Sequence, residues 1–357
     1  MLKFKNKTNR IHDLGGLCDA GLIKTLNASA LRKISAKYDI GISPNALEAI
    51  KDKANPLSDP VGRQYIPSQE ELNQEGTELD DPIGDQAYCP VKGIVHRYPD
   101  RVLLKVTEHC AVYCRYCFRR EMIGKNAKGL SADELEQALA YIENAPHIWE
   151  VILTGGDPLI LSPRRLESLF KRLEAIDHVK IIRIHSRIPV ADPERMTDEV
   201  LNVLKNCQKP LYMVVHINHA QEITSDTRKA LIDLRQANCM MLSQSVLLKG
   251  VNDNAESLEN LFRSLIELGV KPYYMHHPDK ANGTGHFRVS LEKGQELMRQ
   301  LRGRISGLCL PEYMLDIPGG HGKVPVGHDY LGTCENGLYR VEDHKGNRHA
   351  YADQEEG

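Results

Sequence analysis

Residues 102–121 read Val102-Leu-Leu-Lys-Val-Thr-Glu-His-Cys110-Ala-Val-Tyr-Cys114-Arg-Tyr-Cys117-Phe-Arg-Arg-Glu121. The first five residues form a short apolar run of the kind that becomes a buried strand. Three cysteines follow with the spacing Cys-x3-Cys-x2-Cys, which the composition of the chain would produce by chance about 0.006 times. The segment therefore predicts a strand whose carboxyl end carries three clustered thiols.

Five more apolar runs follow this strand, and each precedes a pattern typical of an amphipathic helix. They lie at residues 150–153, 179–184, 211–215, 239–242 with 245–248, and 272–275. Helix-start signals stand between them at Ser131, Ser162, Thr197 and Ser225. Strand–helix units of about 30 residues indicate a parallel sheet, because parallel neighbours need crossover connections.

These units predict an α/β fold with a partial (β/α)6 barrel, since no dinucleotide-binding glycine pattern follows the first strand. We expect three regions along the chain. Residues 1–95 form a mainly helical lid or docking region, broken by several prolines, with a helix at 29–37. Residues 96–320 form the barrel core, and residues 321–357 carry a lysine loop and a C-terminal hairpin. Functional side chains are expected at the carboxyl ends of the strands.

Composition narrows the class of protein. The 357-residue chain has 46 Lys and Arg against 48 Asp and Glu, a net charge of −2, and 41% hydrophobic residues. Such a chain can bury a large core, and its near-neutral charge argues against a nucleic-acid or anionic-membrane binder. The basic start lacks the apolar stretch of a secretory signal, and no run approaches the ~18 apolar residues of a membrane span. We therefore expect a cytoplasmic protein with nine reduced cysteines, whose clusters indicate metal binding or catalysis.

The cysteine triplet favours an iron–sulfur site. Three thiolates within eight residues can hold three irons of a cubic cluster and leave the fourth iron an open position. A structural zinc site needs four closed ligands, so this alternative would require His109 or a distant cysteine as the fourth.

A second motif lies near the C-terminus, where the sequence Asp316-Ile-Pro-Gly-Gly-His-Gly-Lys323-Val324 places a lysine in a glycine-rich loop. A phosphate loop is excluded, because Val324 stands where that pattern needs Ser or Thr. Two interpretations remain from the loop alone: a lysine that forms a Schiff base with pyridoxal phosphate, and a solvated turn lysine.

The cysteine triplet after the first strand, followed by the Gly155-Gly156-Asp157 turn after the second, resembles the radical S-adenosyl-L-methionine superfamily. The whole set of motifs, in order, resembles the lysine 2,3-aminomutase family over roughly residues 85–330. The set adds His185-Ser-Arg-Ile-Pro-Val190, His216-Ile-Asn-His219, Gln244-Ser-Val-Leu-Leu248, Val251-Asn-Asp253 and the Pro-Gly-Gly-x-Gly-Lys323 loop. The resemblance implies an isomerase that interconverts L-lysine and β-lysine by 1,2-amino migration through a 5′-deoxyadenosyl radical. It also implies three cofactors, namely a 4Fe–4S cluster, S-adenosyl-L-methionine and pyridoxal 5′-phosphate.

The resemblance assigns expected roles to individual residues. Lys323 would hold pyridoxal phosphate, Tyr98 would stack on its ring, and Arg97 and Arg101 would bind its phosphate. The expected cluster ligands are Cys110, Cys114 and Cys117, and the expected S-adenosylmethionine contacts are Gly155, Gly156, Asp157, His216 and Gln244. For His216 and Gln244, hydrogen-bonded polar groups at the barrel mouth are an equal alternative.

Substrate recognition is expected to depend on charge. The resemblance places Arg119 against the substrate carboxylate, and Asp279 and Asp316 against the distal ammonium of lysine. Two carboxylates would offset the desolvation of that ammonium but would repel an acidic side chain, so the pair favours lysine over glutamate.

Several alternatives stay open. One is an aminomutase that acts in the β-lysylation of elongation factor P, and another is an aminomutase for a different amino acid. A third, of a different class, is a non-catalytic iron–sulfur or zinc protein. We expect no structural zinc, because Asn254 stands where some relatives carry a cysteine and the tail has no cysteine cluster. A cellular reductant and self-association are expected from the family, whereas the other six cysteines, Cys18, Cys89, Cys207, Cys239, Cys309 and Cys334, have no matched role.

Overall fold

The structure is a computed structural model that describes residues 10–24, 29–73, 76–124, 127–335 and 338–353. Its strands are β1 (Ile94–Tyr98), β2 (Arg101–Thr107), β3 (Glu150–Gly155), β4 (Ile181–Ser186), β5 (Leu211–His216), β6 (Met240–Val246), β7 (Lys271–His276), β8 (Glu312–Asp316), β9 (Lys323–Pro325), β10 (Leu331–Glu335), β11 (Leu338–Glu342) and β12 (Arg348–Ala352).

The helices comprise an N-terminal group and a barrel group. The first group is α1 (Leu14–Asp19), α2 (Ser29–Lys37), α3 (Pro44–Ala49) and α4 (Gly62–Tyr65). The second is α5 (Ala132–Glu143), α6 (Pro163–Glu174), α7 (Ile188–Ala191), α8 (Asp198–Lys205), α9 (Ser225–Gln236), α10 (Ala255–Glu267) and α11 (Leu291–Leu301). In the described part of the chain, no helix is long and apolar enough to cross a bilayer.

Strands β1 to β9 form one sheet in sequence order. Strands β2 to β8 run parallel, and β1 and β9 pair antiparallel at the two ends. The sheet is curled so far that its two edge strands meet. The backbone N–H of Lys323 on β9 donates to the hydroxyl of Tyr98 on β1 across 2.9 Å. The predicted α/β partial barrel with six strand–helix units is confirmed. Strand β8 adds a seventh parallel strand that the sequence analysis did not predict.

Side-chain caps start the barrel helices as the sequence indicated, with one exception. Ser131 and Glu134 form a capping box at α5, Ser162 precedes Pro163 at α6, and Thr197 caps α8. The prediction for α9 was wrong by one residue, since Thr224 is the cap and Ser225 is the first helical residue.

Two apolar cores position the site. The larger packs the strands against the outer helices and includes Leu153, Ile184 and Phe262. The smaller lies within the N-terminal region and extends to Val112 in the cysteine loop and Ala191 at the end of α7. The N-terminal region is therefore packed onto the loop that follows the first parallel strand.

The C-terminal strands form a separate antiparallel sheet of β10, β11 and β12. Strands β11 and β12 make the hairpin that the sequence predicted, around a turn that contains Gly346. The side chains of β12 are exposed.

Candidate active site

A cavity of about 580 Å³ lies inside the curled sheet, and residues at the carboxyl ends of the parallel strands line much of its wall. All of the residues to which the sequence analysis assigned a role line this cavity. They are Arg97, Tyr98, Arg101, Cys110, Cys114, Cys117, Arg119, Gly155, Gly156, Asp157, His216, Gln244, Asp279, Asp316 and Lys323.

The three cysteines lie in the loop after β2, and each is a free thiol. Burial raises the pKa of all three thiols, in Cys117 to about 11, so a thiolate here needs a cation beside it. As placed, no three His, Cys, Asp or Glu side chains in the described residues are close enough together to bind a metal ion. The cysteine spacing and the shared cavity, rather than preformed ligand geometry, are therefore the support for a cluster site.

A buried ion-pair network holds the cysteine loop. Glu71, in a turn of the N-terminal region, accepts hydrogen bonds from both Arg115 and Arg120, and all three side chains are fully buried. Arg120 also donates to the carbonyls of Arg115 and Gly283 at 2.9 and 2.8 Å. The sequence analysis missed this network, although Arg115 within the cysteine motif and Arg120 three residues after it were a visible signal.

The Gly155-Gly156 turn fits against the backbone of the cysteine loop. A Cβ atom on Gly155, whose φ is +119°, would lie 2.2 Å from the carbonyl oxygen of Thr107. One on Gly156 would lie 2.2 Å from the carbonyl oxygen of His109. Close packing between the ends of β2 and β3 therefore requires both glycines, independently of any contact with a cofactor.

Asp157 fixes the next strand. Its buried carboxylate accepts hydrogen bonds from the hydroxyl of Ser186 and from three backbone N–H groups, those of Leu159, Arg187 and Ile188. These bonds tie the end of β3 to the end of β4, so the carboxylate is already engaged by the protein.

His185 and His216, at the ends of β4 and β5, form an edge-to-face pair with ring centroids 5.8 Å apart. Burial lowers the pKa of His216 to about 3 and that of His185 well below its usual value, so both rings are neutral at pH 7. The Nε2 atom of each ring is buried without a hydrogen-bond partner. Both rings therefore have a nitrogen available to a polar group in the cavity.

Lys323 is the first residue of β9 and pairs with Asp316, the last residue of β8. Its Nζ atom lies 3.5 Å from Oδ1 of Asp316. The guanidinium of Arg101 stacks 3.9 Å from the ring centroid of Tyr98 and forms an ion pair with Asp100 at 2.6 Å. One face of the Tyr98 ring is thus covered, and only the other face can stack on a cofactor.

Asp316 and Asp279 have opposite electrostatic environments. Burial opposes ionisation of Asp316, but a hydrogen bond from His276 and the nearby Lys323 ammonium outweigh it and lower the pKa to about 2. Burial and then the charge of Asp316 raise the pKa of Asp279 to about 7. The two carboxylates therefore interact, and one of them takes up a proton close to neutral pH.

Arg97 and Arg119 share a carboxylate that the sequence analysis did not single out. Asp85 accepts a hydrogen bond from Arg97 at 3.2 Å and from Arg119 at 3.0 Å. Burial opposes ionisation of Asp85, but Arg119 and the other cations outweigh it and lower its pKa. The Nε atoms of both arginines are buried without a partner.

Comparison with known proteins identifies the family. A family model described as the radical SAM superfamily matches residues 104–265. The L-lysine 2,3-aminomutase of Clostridium subterminale is 41% identical over 292 residues, which cover 82% of this chain and 70% of that protein. The chain belongs to the lysine 2,3-aminomutase family. Among its relatives, the L-lysine 2,3-aminomutase of Escherichia coli K12 is 38% identical over 85% of this chain and 90% of that protein.

Membership in the lysine 2,3-aminomutase family confirms the resemblance found in the sequence and makes the chain a radical SAM aminomutase, an isomerase. The family is not uniform in its substrate, since the glutamate 2,3-aminomutase of Clostridioides difficile is 35% identical over 94% of this chain and 81% of that protein. Membership in the superfamily implies a 4Fe–4S cluster and S-adenosylmethionine.

The residues of the cavity fit these groups. Three free thiols from one loop line it, and so does His216, whose Nε2 atom has no hydrogen-bond partner. The amine of Lys323 is partly exposed to the cavity, and Arg97 retains an unpartnered Nε atom there. An amine beside an aromatic ring and arginine donors is a set of groups suited to pyridoxal phosphate.

Proposed function

We propose that this chain interconverts L-lysine and β-lysine, with a 4Fe–4S cluster, S-adenosylmethionine and pyridoxal phosphate as cofactors. The observation that carries the proposal is a cavity lined by two interacting carboxylates, Asp279 and Asp316, together with arginines and an amine-bearing lysine. This charge pattern complements an amino acid that has a carboxylate at one end and an ammonium at the other.

The carboxylate pair supports lysine as the substrate. The ammonium group of Lys323 itself lies 3.5 Å from Asp316, and this contact supports the view that a primary ammonium can approach that carboxylate. A second ammonium between Asp279 and Asp316 would favour the charged form of both carboxylates. The carboxylate of a glutamate side chain would instead meet two like charges, and the pair would disfavour it.

Arg119 would bind the opposite end of the substrate, its carboxylate. It lines the cavity two residues after Cys117, and its Nε atom is buried without a partner while one Nη atom binds Asp85. A guanidinium with free donors forms strong, directional hydrogen bonds with a carboxylate. We assign Arg119 to the substrate carboxylate for this reason.

The cofactors would be held by different parts of the wall. Cys110, Cys114 and Cys117 would ligate the cluster, and the unpartnered ring nitrogen of His216 would contact S-adenosylmethionine. Lys323 would hold pyridoxal phosphate. When bound, the cluster with S-adenosylmethionine supplies the radical, and pyridoxal phosphate supplies a π-system for the migrating nitrogen.

The N-terminal region would act as a lid that excludes water. Gly84, with a φ of +67°, packs so closely on the glycine-rich loop that a Cβ atom would lie 2.4 Å from the backbone nitrogen of Gly320. A Cβ atom on Gly320 would in turn lie 2.7 Å from the ring of Tyr88. The segment thus closes directly over the loop that presents Lys323, where a radical reaction needs to be shielded from solvent.

The proposal is tested by product analysis of the anaerobically reconstituted protein. We expect ¹⁵N,¹³C-labelled L-lysine to yield labelled β-lysine by mass spectrometry, with no β-isomer from labelled L-glutamate under the same conditions. Cys114→Ala and Lys323→Ala should both abolish the product. Cleavage of S-adenosylmethionine without conversion of lysine would refute the substrate assignment, and absence of cleavage in a verified reconstituted sample would refute the catalytic assignment.

A further inference from the structure

Asp85 is a buried carboxylate that none of the roles assigned above uses. It belongs to a short turn of the N-terminal region, Gln86–Tyr88 with its preceding residue, and is only 3% exposed. Its side chain caps no backbone N–H of that turn. The turn is held instead by Asp81, whose carboxylate accepts the backbone N–H groups of Asp85 and Gln86 at 2.9 and 2.8 Å. The carboxylate of Asp85 therefore does not cap the backbone of its own turn, as aspartates in turns usually do.

Its two oxygens bind two different arginines of the cavity. Oδ1 accepts from Nη2 of Arg97 at 3.2 Å, and Oδ2 accepts from Nη2 of Arg119 at 3.0 Å. Each guanidinium has five N–H donors, and the Nε atom of each is buried without a partner. Asp85 thus anchors one edge of both arginines and leaves further donors for a ligand.

We propose that Asp85 is a positioning residue, which holds Arg97 and Arg119 in a fixed relation so that one meets the cofactor phosphate and the other the substrate carboxylate. This inference rests on the proposed function, since it uses the roles given there to the two arginines. Two guanidinium groups side by side repel each other, and the shared carboxylate between them offsets that repulsion.

The position of Asp85 in the fold links the arginines to the lysine loop. Its neighbour Gly84 packs on the backbone of Gly319 and Gly320, a few residues before Lys323. The turn that fixes both arginines therefore also contacts the loop that presents the cofactor-binding amine. One carboxylate can in this way set the phosphate end and the carboxylate end of the site relative to each other.

The test compares Asp85→Asn and Asp85→Glu in the reconstituted holoenzyme. We expect Asp85→Asn to raise the KM for L-lysine and the Kd for pyridoxal phosphate about tenfold each, or about 1.4 kcal/mol, with kcat changed less than threefold. Asp85→Glu, which keeps the charge, should restore most of both affinities. Asp59→Asn is the matched control, because Asp59 is likewise 3% exposed and its carboxylate accepts hydrogen bonds from backbone N–H groups and from Gln221, none of which belongs to a residue that lines the cavity. It should leave KM and Kd within threefold of the unsubstituted protein.

Positioning and competition by Asp85 predict opposite changes in the affinity for anionic ligands, so the test distinguishes them. If Asp85 merely competed with anionic ligands for the arginines, Asp85→Asn would strengthen the binding of both, and our proposal would be wrong. Unchanged KM and Kd would overturn it as well. In an Arg119→Lys background the effect of Asp85→Asn on KM should largely disappear, because the residue acts through that arginine. If the unsubstituted protein makes no β-lysine, the proposed function fails, while the pyridoxal phosphate titration still tests the link to Arg97.

Discussion

The pH dependence of lysine turnover should report the ionisation of Asp279. Burial and the charge of Asp316 raise its pKa to about 7. A carboxyl group with that pKa is about one-tenth ionised at pH 6 and about nine-tenths ionised at pH 8. If the ionised form binds the substrate ammonium, kcat/KM for lysine should rise about tenfold between pH 6 and pH 8, because kcat/KM follows the free enzyme.

Three other groups in the cavity, His185, His216 and Asp316, do not explain such a rise of kcat/KM with pH, the acidic limb of the profile. Burial lowers the pKa of His216 to about 3 and that of His185 well below its usual value, so these two imidazoles are already neutral across this range. Asp316, with a pKa of about 2, is already ionised. The distal ammonium of lysine loses its proton only near pH 10.4.

Two substitutions make the assignment refutable. Asp279→Asn should remove the limb and lower kcat/KM at pH 8 by about tenfold to 150-fold, since a hydrogen bond to a charged group contributes about 1.5–3 kcal/mol. Asp316→Asn removes the like charge beside Asp279, so any remaining limb should move to lower pH. The assay is initial-rate kinetics on labelled lysine from pH 6 to pH 8. A flat profile in the unsubstituted protein, or a limb that survives in Asp279→Asn, would refute the reasoning.

Three further predictions concern the cysteine loop. Cys114→Ala should lose bound iron and sulfide on reconstitution, measured by colorimetric analysis, whereas Cys207→Ala should retain them because Cys207 lies outside the cavity. Glu71→Gln should destabilise the protein by about 3–5 kcal/mol in chemical denaturation, because it leaves two buried arginines without their carboxylate. Glu70→Gln, on the same turn but 45% exposed, should change stability by less than about 0.5 kcal/mol, and equal effects would contradict the argument. Gly156→Ala should reduce cluster loading with little loss of secondary structure by circular dichroism, because its Cβ would press on a carbonyl of the cysteine loop; full loading would show that the contact relaxes without consequence.

Local sequence patterns predicted the strand–helix units because each buried parallel strand is a short apolar run with a helix cap after it. The seventh parallel strand, β8, was missed because only three of its five residues are apolar and it directly follows Pro311. At α9 two adjacent hydroxyl residues, Thr224 and Ser225, gave the same capping signal, and periodicity alone could not choose between them.

The residues that the sequence analysis missed act over long separations. Asp85 binds an arginine 34 positions later, and Glu71 binds one 44 positions later. Hydrophobic periodicity and short motifs describe neighbours along a strand or a helix turn, so they carry no signal for such pairs. The residues assigned by resemblance could be placed because their motifs stand at the ends of successive strands, which the sheet brings together along one wall.

The curl of the sheet explains why the remaining part of the site depends on tertiary structure. Tyr98 on β1 and Lys323 on β9 lie at opposite ends of the strand order and 225 residues apart, yet they are joined by a hydrogen bond. Neighbouring strands of a sheet are rotated in one sense relative to each other, and over the nine strands of this sheet the rotation brings the two ends face to face. The turn that carries Asp85 packs on the loop before Lys323 at this same junction. Closure of the sheet therefore assembles the lysine, the arginines and their shared carboxylate, and each of them depends on contacts that no single segment contains.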